Sequence, residues 1–183
     1  MTGADLGVDL DLAAELGRRA AADQAIRAAV RRAGPGDPVR RARLLARMHA
    51  IDRDNTAWLR TVLRDAWPPR SRIGDRAAED LWLLALHADH DRPFQARCAE
   101  LMAAAVAHGE ANPRLYAYLC DRVLVAAGRL QRYGTQQVHT EHGDRPWPVA
   151  DVDRLNERRA AVGLPPLPAE IVAAIPPACP VRR

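Results

Sequence analysis

The sequence predicts an all-α protein: a single-domain bundle of αα-hairpins with one small C-terminal β-hairpin. Hydrophobic residues make up 48% of the chain, and most of them are alanine or leucine, which favour helix. These residues recur at three- and four-residue spacings, as on one face of a helix. A length of 183 residues is typical of one domain. We therefore expect one helical domain over residues 1–174 and a disordered tail over residues 175–183.

Apolar periodicity, together with proline and glycine at the ends, predicts five main helices. Their expected spans are Leu12–Arg32, Pro38–Ala66, Asp75–Asp89, Pro93–His108 and Pro113–Ala127. The third contains the run LWLLAL and should be the buried central helix, and the segment PPRSRIG before it should be a loop. β-type residues and a Gly-Asp turn predict a hairpin around Tyr133 to Val149. A short helix follows from Val152 to Val162, with no further element after it.

Composition excludes several classes of protein. All 27 basic residues are arginine, and Schiff-base, pyridoxal-phosphate and P-loop chemistry requires lysine. The only serine, Ser71, lacks a GxSxG context. The net charge of +4 is spread along helices with 23 acidic residues, so no nucleic-acid partner is expected. No membrane-length apolar run or signal peptide is seen, and we expect a cytoplasmic protein with no membrane partner.

Several polar residues occupy positions on the apolar faces of the predicted helices. They are Asp23, Arg27, Asp52, Asn55, His87, Asp121 and Arg122. Burying such a group without a partner costs free energy on the order of several kcal/mol, so each must pair with another polar residue, with water or with a ligand. Two interpretations stay open: separate structural pairs, or one polar pocket between helices. Because the residues come from four helices, the pocket is favoured.

The cluster His87-Ala88-Asp89-His90-Asp91 contains the densest run of chemically active side chains. Asp91 precedes Arg92-Pro93 and is placed to cap the next helix, while His90 should face solvent. His87 is either an acid/base or ligand-binding group, or a hydrogen-bonded core histidine. No metal site and no cofactor are predicted. The spacing of His49, His90-Asp91 and Asp121 loosely resembles metal-dependent HD-type phosphohydrolases, which leaves a divalent metal and a hydrolase open as a further alternative.

Several segments in their chain order resemble a bacterial family known only as a domain of unknown function. The segments are AADQAIR, IDRDNTAWL, WPPRSRIG, LLALHADHDRPFQ, AYLCDRV, LQRYGTQ and ERRAAVGLPPL. The resemblance extends from about Leu12 to Leu167 and implies no established activity. Ala66 and Leu86 depart from the family pattern, which has glycine and glutamine there. The resemblance implies motif positions at Asp23, Arg27, Asn55, His87, Asp89, Asp91, Asp121, Arg122, Tyr133, Thr135 and Gln136.

These observations lead to the hypothesis of a small enzyme that acts on a polar small-molecule metabolite. His87 would be the acid/base, Asp121 or Asp23 the second carboxylate, and Arg27 and Arg122 anion anchors. The other predicted binding residues are Asp52, Asn55, Asp89, Tyr133, Thr135 and Gln136. The alternative is a non-catalytic helical module that binds a ligand or another protein. The sequence predicts no oligomeric state.

Overall fold

The computed structural model describes residues 9–34, 36–140 and 143–176. The mainly α class is confirmed. The helices in this part of the chain are α1 (Leu10–Ala33), α2 (Pro38–Val62), α3 (Arg70–Ile73), α4 (Asp75–Leu86), α5 (Arg92–Ala107), α6 (Pro113–Ala126), α7 (Leu155–Ala161) and α8 (Ala169–Ala173). Within the described ranges, no helix combines the length and apolarity needed to cross a membrane.

The predicted hairpin is also confirmed. Strands β1 (Gln137–Thr140) and β2 (Gly143–Pro146) pair antiparallel, with Gln137 opposite Pro146 and Thr140 opposite Gly143. Gly143 and Asp144, predicted to be the turn, instead lie in β2. Their backbone groups are part of the ladder, so a Gly-Asp pair does not by itself locate a turn.

Side-chain caps and prolines determine where the long helices begin. In four helices the N-cap side chain accepts a backbone N–H from the first turn: Asp9 in α1, Asp37 in α2, Asp91 in α5 and Asn112 in α6. Proline lies in the first turn of α2, α5 and α6, where its missing N–H has no helical partner to lose. These signals are local, and the predicted starts of these helices agree with the structure to within two residues.

Two of the five predicted helix ends, those of α2 and α4, differ from the structure by more than one residue. Helix α2 stops at Val62 and not Ala66, and the chain bends so that Trp67 is buried. Helix α4 stops at Leu86 and not Asp89, because the backbone leaves helical geometry at His87 before Asp91 caps α5. The central helix is also less enclosed than expected, since Trp82 and Leu83 are half-buried.

Three further differences lie in short elements. PPRSRIG was predicted as a loop but contains α3, and the segment after the short helix contains α8. Both have five residues or fewer, too short for an apolar period to be seen. The helix predicted from Val152 starts as a 3-10 turn, Val152–Arg154, and continues as α7. The predicted tail begins at Ile175, which packs with Val149 and Leu155. Residues 177–183 of that tail lie outside the described residues.

The chain divides into two compact units, Met1–Ala111 and Asn112–Arg183. In the first, α1 packs against α2, α3 and α4. Its fully buried large apolar side chains include Leu16, Leu59, Leu81, Leu84 and Met102. The second unit holds α6, the hairpin, α7 and α8. Its two apolar clusters are Ala117, Tyr133 and Leu164, and Val149, Leu155 and Ile175. A single domain stays a prediction.

The Asp91 cap can be tested by substitution. Its Oδ1 accepts the Phe94 backbone N–H at 3.2 Å, and its other oxygen pairs with Arg60. We expect Asp91→Ala to lower the free energy of unfolding by about 1 kcal/mol in urea denaturation, with most of the loss restored in Asp91→Asn. His90→Ala, at an exposed neighbouring position, should change it by less than about 0.5 kcal/mol. Equal losses in the alanine variants would show that the cap does not determine the start of α5.

Candidate functional site

Four polar side chains from three helices meet in the first unit. Asp23 and Arg27 are one turn apart on α1, Asp52 lies on α2, and His87 caps the end of α4. Arg27 Nε donates to Asp23 Oδ1 at 3.1 Å, and Arg27 Nη2 donates to Asp52 Oδ1 at 2.6 Å. His87 Nδ1 lies 2.9 Å from Asp23 Oδ2. These four residues, named here the Asp23 cluster, were all predicted to point inward.

The His87 ring makes its contacts through Nδ1. That nitrogen lies 2.9 Å from Asp23 Oδ2 and 3.0 Å from Arg27 Nε. If Nδ1 carries the proton, it donates to the Asp23 carboxylate. If Nδ1 is unprotonated, it would accept from Arg27 and its lone pair would lie close to a carboxylate oxygen that has no proton to donate. We assign the proton to Nδ1 because the carboxylate can only accept. Nε2 has no hydrogen-bond partner among the described residues.

Burial differs sharply across the cluster. The Asp23 side chain is 0% exposed, whereas the His87 side chain is 16% exposed and that of Arg27 is 19% exposed. Burial raises the pKa of Asp23, but the His87 hydrogen bond and the His87 and Arg27 charges outweigh it, so this pKa lies below its ordinary value. Burial raises the pKa of Asp52, and the neighbouring Asp23 charge adds to that effect against the attraction of Arg27. Asp23 is therefore the ionised carboxylate that faces His87.

Asn55 follows Asp52 by one helical turn and is buried. Its Oδ1 accepts from Arg19 Nη1 at 3.0 Å, and Arg19 also pairs with Glu15 and Asp54. The Asn55 Nδ2 group is buried and has no acceptor among the described residues. An unsatisfied buried donor costs about 1–3 kcal/mol. Such groups are rare in native proteins and call for a physical explanation.

Asp121 lies in the second unit and binds a loop. Its side chain is fully buried. Oδ1 accepts the backbone N–H of Arg132 at 2.6 Å and of Tyr133 at 3.0 Å. Oδ2 accepts the Thr135 backbone N–H at 2.9 Å and the Thr135 hydroxyl at 3.0 Å. The predicted residues Asp121, Tyr133 and Thr135 thus come together, with the carboxylate holding the backbone of residues 131–136.

Two glutamines within the same loop, Gln131 and Gln136, also stabilise it through hydrogen bonds. Gln131 Oε1 accepts the Gln136 backbone N–H at 2.9 Å, while Gln131 Nε2 donates to the Gln136 and Trp147 carbonyls. Gln136 Nε2 donates to Thr135 Oγ1 at 3.1 Å. Gly134 has a φ of 65°, and a Cβ there would lie 3.4 Å from a Leu167 methyl. The motif QRYGTQ therefore needs its glycine for this left-handed conformation, while an added Cβ would meet the leucine methyls at ordinary contact distance.

Two predicted site residues have other surroundings. Asp89 is exposed, and its Oδ1 accepts from Gln95 Nε2 at 3.0 Å. Gln95 itself is buried and also donates to the Leu86 carbonyl at 2.9 Å, which closes the turn between α4 and α5. Arg122 is half-buried on α6 in the second unit.

Sequence reasoning missed other buried polar residues. Gln95, Gln131 and Arg159 are all buried. Arg159 Nη1 donates to the Tyr133 carbonyl at 2.6 Å and its Nε donates to the Pro165 carbonyl at 2.8 Å. These residues satisfy backbone groups of loops, which have no periodic pattern. Gln95, Gln131 and Arg159 lie within the motif segments HADHDRPFQ, QRYGTQ and ERRAAVGLPPL. These motifs were the sequence signal that could have identified the three residues.

A cleft of about 440 Å³ lies elsewhere in the first unit. Its lining includes Thr61, Arg64, Trp67, Pro68 and Arg72. No residue of the Asp23 cluster lines it. The cleft was not predicted, although WPPRSRIG supplies much of its wall. Within the part of the chain that the structure describes, no group of three or more His, Cys, Asp or Glu residues is arranged to hold a metal ion.

Fold and site define a mainly α protein in which a buried carboxylate holds a partly exposed histidine. Residues 10–175 match a family of unknown function, DUF6624, and the chain belongs to that family. Neither the curated proteins nor the solved structures give a match to this chain.

Proposed function

We propose that the protein is an enzyme that uses His87 as a general acid/base on a small polar metabolite, with Asp23 as the carboxylate that orients it. One observation supports this most. A fully buried, ionised Asp23 contacts the Nδ1 side of a ring that stays 16% exposed. A histidine that only filled the core would have no need of an exposed edge.

The chemistry follows from the two ring nitrogens. With Nδ1–H donated to Asp23, Nε2 is the basic nitrogen and can take a proton from a ligand hydroxyl or amine. Asp23 then stabilises the imidazolium that forms, and Nε2 returns the proton in a later step. Such proton transfer typically contributes about 10²–10⁴-fold in rate.

Arg27 has a positioning role in this proposal. Its Nε and Nη2 face Asp23 and Asp52, and its Nη1 lies 3.5 Å from the Met48 sulfur. A guanidinium shared by two carboxylates has little positive charge left for an anionic ligand. It instead holds Asp23 against His87. Asp121 has a comparable role within the second unit, where it holds the backbone of residues 131–136.

The wider identity of the protein is part of the same proposal. We propose a bacterial, cytoplasmic enzyme whose partner is a small molecule. We also propose that the family pattern includes DQxxR, HADxDxxFQ, AYLxDRV, QxYGTQ and RRxxxGLPPL. The family itself has no described activity from which a substrate could be inferred.

His87→Asn tests the acid/base role. Asparagine can place an amide N–H near the position of Nδ1 and keep the bond to Asp23, but it has no second ring nitrogen. Purified wild-type protein incubated with a small-molecule cell extract should consume at least one compound, as seen by untargeted mass spectrometry. His87→Asn should slow that consumption by about 10²-fold or more. Its free energy of unfolding in urea should stay within about 1 kcal/mol of wild type.

His90→Asn is the matched control, because His90 is exposed and three residues away. It should consume the compound at the wild-type rate. The acid/base role is contradicted if the wild type consumes nothing, or if His87→Asn works equally fast. A compound that is retained by the wild type but never converted would indicate the non-catalytic binding module instead.

A further inference from the structure

The orphan amide of Asn55 has a fixed orientation. Arg19 Nη1 donates to Asn55 Oδ1 at 3.0 Å, and a guanidinium has no acceptor. An amide flip would turn an N–H group toward that cation, so Nδ2 must point away from Arg19. Both of its protons then lack an acceptor among the described residues. Asn55 Nδ2 is therefore a buried hydrogen-bond donor without an acceptor in the described part of the chain.

Asn55 lies on α2 one helical turn from Asp52, a member of the Asp23 cluster. Arg27 on α1 bonds to Asp52 on α2, and Arg19, two turns earlier on α1, bonds to Asn55. The two helices therefore run antiparallel, and Asp23 lies between these two contacts on the same face of α1. Asn55 is thus bonded to Arg19, one helical turn before Asp23, and Asp23 itself contacts His87 Nδ1.

Among the described residues, the charged side chains around Asn55 and the Asp23 cluster leave no free cation for an anion. Acidic and basic side chains are joined there by hydrogen bonds and ion pairs. The carboxylates are Glu15, Asp23, Asp52 and Asp54, and the guanidiniums are Arg18, Arg19 and Arg27. Each arginine is already paired with a carboxylate. A ligand with its own negative charge would find no unpaired guanidinium in this group and would lie beside carboxylates.

We infer that the ligand of this site is an uncharged carbonyl compound of the amide type, whose oxygen accepts a hydrogen bond from Asn55 Nδ2. This inference rests on the proposed function of His87, which would act on the same molecule. Because Nδ2 is covered in this structure, the oxygen reaches it only when a neighbouring side chain shifts. The ligand then accepts a hydrogen bond from a buried donor that has no acceptor among the described residues.

Acetamide and acetate are suitable probes because they have nearly the same shape and differ in charge. The sequence has three asparagines, Asn55, Asn112 and Asn156, so their side-chain NH₂ signals in a ¹⁵N-labelled full-length sample are few. Through-bond experiments and an Asn55→Leu spectrum identify the Asn55 pair. Acetamide should shift this pair in a saturable way and leave those of Asn112 and Asn156 unchanged. Acetate should need about tenfold more for the same response.

Two results would overturn the inference: an Asn55 pair that acetamide leaves in place, or a response to acetate at equal or lower concentration. The His87 ring signals separate this inference from the proposed function. If His87 responds to acetamide equally in wild type and in Asn55→Leu, Asn55 is not the donor, while the acid/base role stands. If Asn55 responds but His87→Asn still converts the metabolite at the wild-type rate, the acid/base role fails and the Asn55 contact stands.

Discussion

Asp121→Asn is expected to unfold the second unit of the protein under conditions where the wild type is folded. The carboxylate accepts three backbone N–H groups and one hydroxyl, all at 3.0 Å or less for the closest oxygen. An asparagine must turn an NH₂ group toward some of these donors and leave them buried and unpaired. We expect a loss of about 3–5 kcal/mol in the free energy of unfolding, measured by urea denaturation. Hydrogen exchange should become fast at the Arg132, Tyr133 and Thr135 amides.

Two further variants, Thr135→Val and Asp153→Asn, provide comparisons for the loss in free energy of unfolding. Thr135→Val removes only the hydroxyl bond and should cost about 1 kcal/mol. Asp153 is exposed, and its replacement should change the free energy of unfolding by less than about 0.5 kcal/mol. An Asp121→Asn protein as stable as wild type would show that the loop is held by other contacts. The carboxylate would then be available for the catalytic role considered from the sequence.

Asp23→Asn should cost about 3 kcal/mol of stability and also stop the proposed reaction. Asp23 is fully buried and accepts from Arg27, His87 and Gln24, so the substitution leaves the Arg27 cation less well paired. An asparagine can also turn its NH₂ toward His87 and reverse the ring tautomer, which places the proton on Nε2. Urea denaturation and the mass-spectrometric assay measure the two effects. Asp54→Asn, at a carboxylate 73% exposed, should cost less than about 1 kcal/mol and retain activity.

The pH dependence of the Asp23→Asn loss provides an independent check. The pKa of Asp23 is lowered on folding, so its charge contributes stability that is fully present above the unfolded pKa, about 3.9. That stability is lost as pH falls through the lower folded pKa. The difference between wild type and Asp23→Asn should shrink as pH falls below about 4, where Asp23 itself becomes protonated. A difference that instead grows below about pH 4 would mean that Asp23 is held protonated.

For Asp52 the sign is opposite. Its pKa is raised on folding, so its contribution to stability is lost as pH rises through that raised value. The pH dependence of wild type alone therefore contains two opposing effects. Only the difference between wild type and each variant isolates one carboxylate.

Local signals explain why part of the site could be predicted. Asp23, Arg27, Asp52 and His87 share an inward direction because a helix repeats every 3.6 residues, which is visible in the sequence. Their mutual distances depend on how α1, α2 and α4 pack, and helix periodicity contains no information on that register. Asn55 shows the difference well. Its inward direction was predicted, but the missing partner of Nδ2 follows only from where Arg19 lies.

The sequence alone determined the helical class, the capped starts of α1, α2, α5 and α6, the position of the hairpin and the exclusion of lysine chemistry. These depend on residues close together in the chain, whose preferences act before any tertiary contact forms. Tertiary structure alone decided which polar residues meet. It brought His87 into contact with Asp23, which lies 64 positions away in the sequence. It also placed Asp121 where its carboxylate accepts hydrogen bonds from the backbone of residues 131–136. Buried polar groups take whichever partner packing brings within hydrogen-bond distance, because leaving them unpaired costs more than any local preference provides.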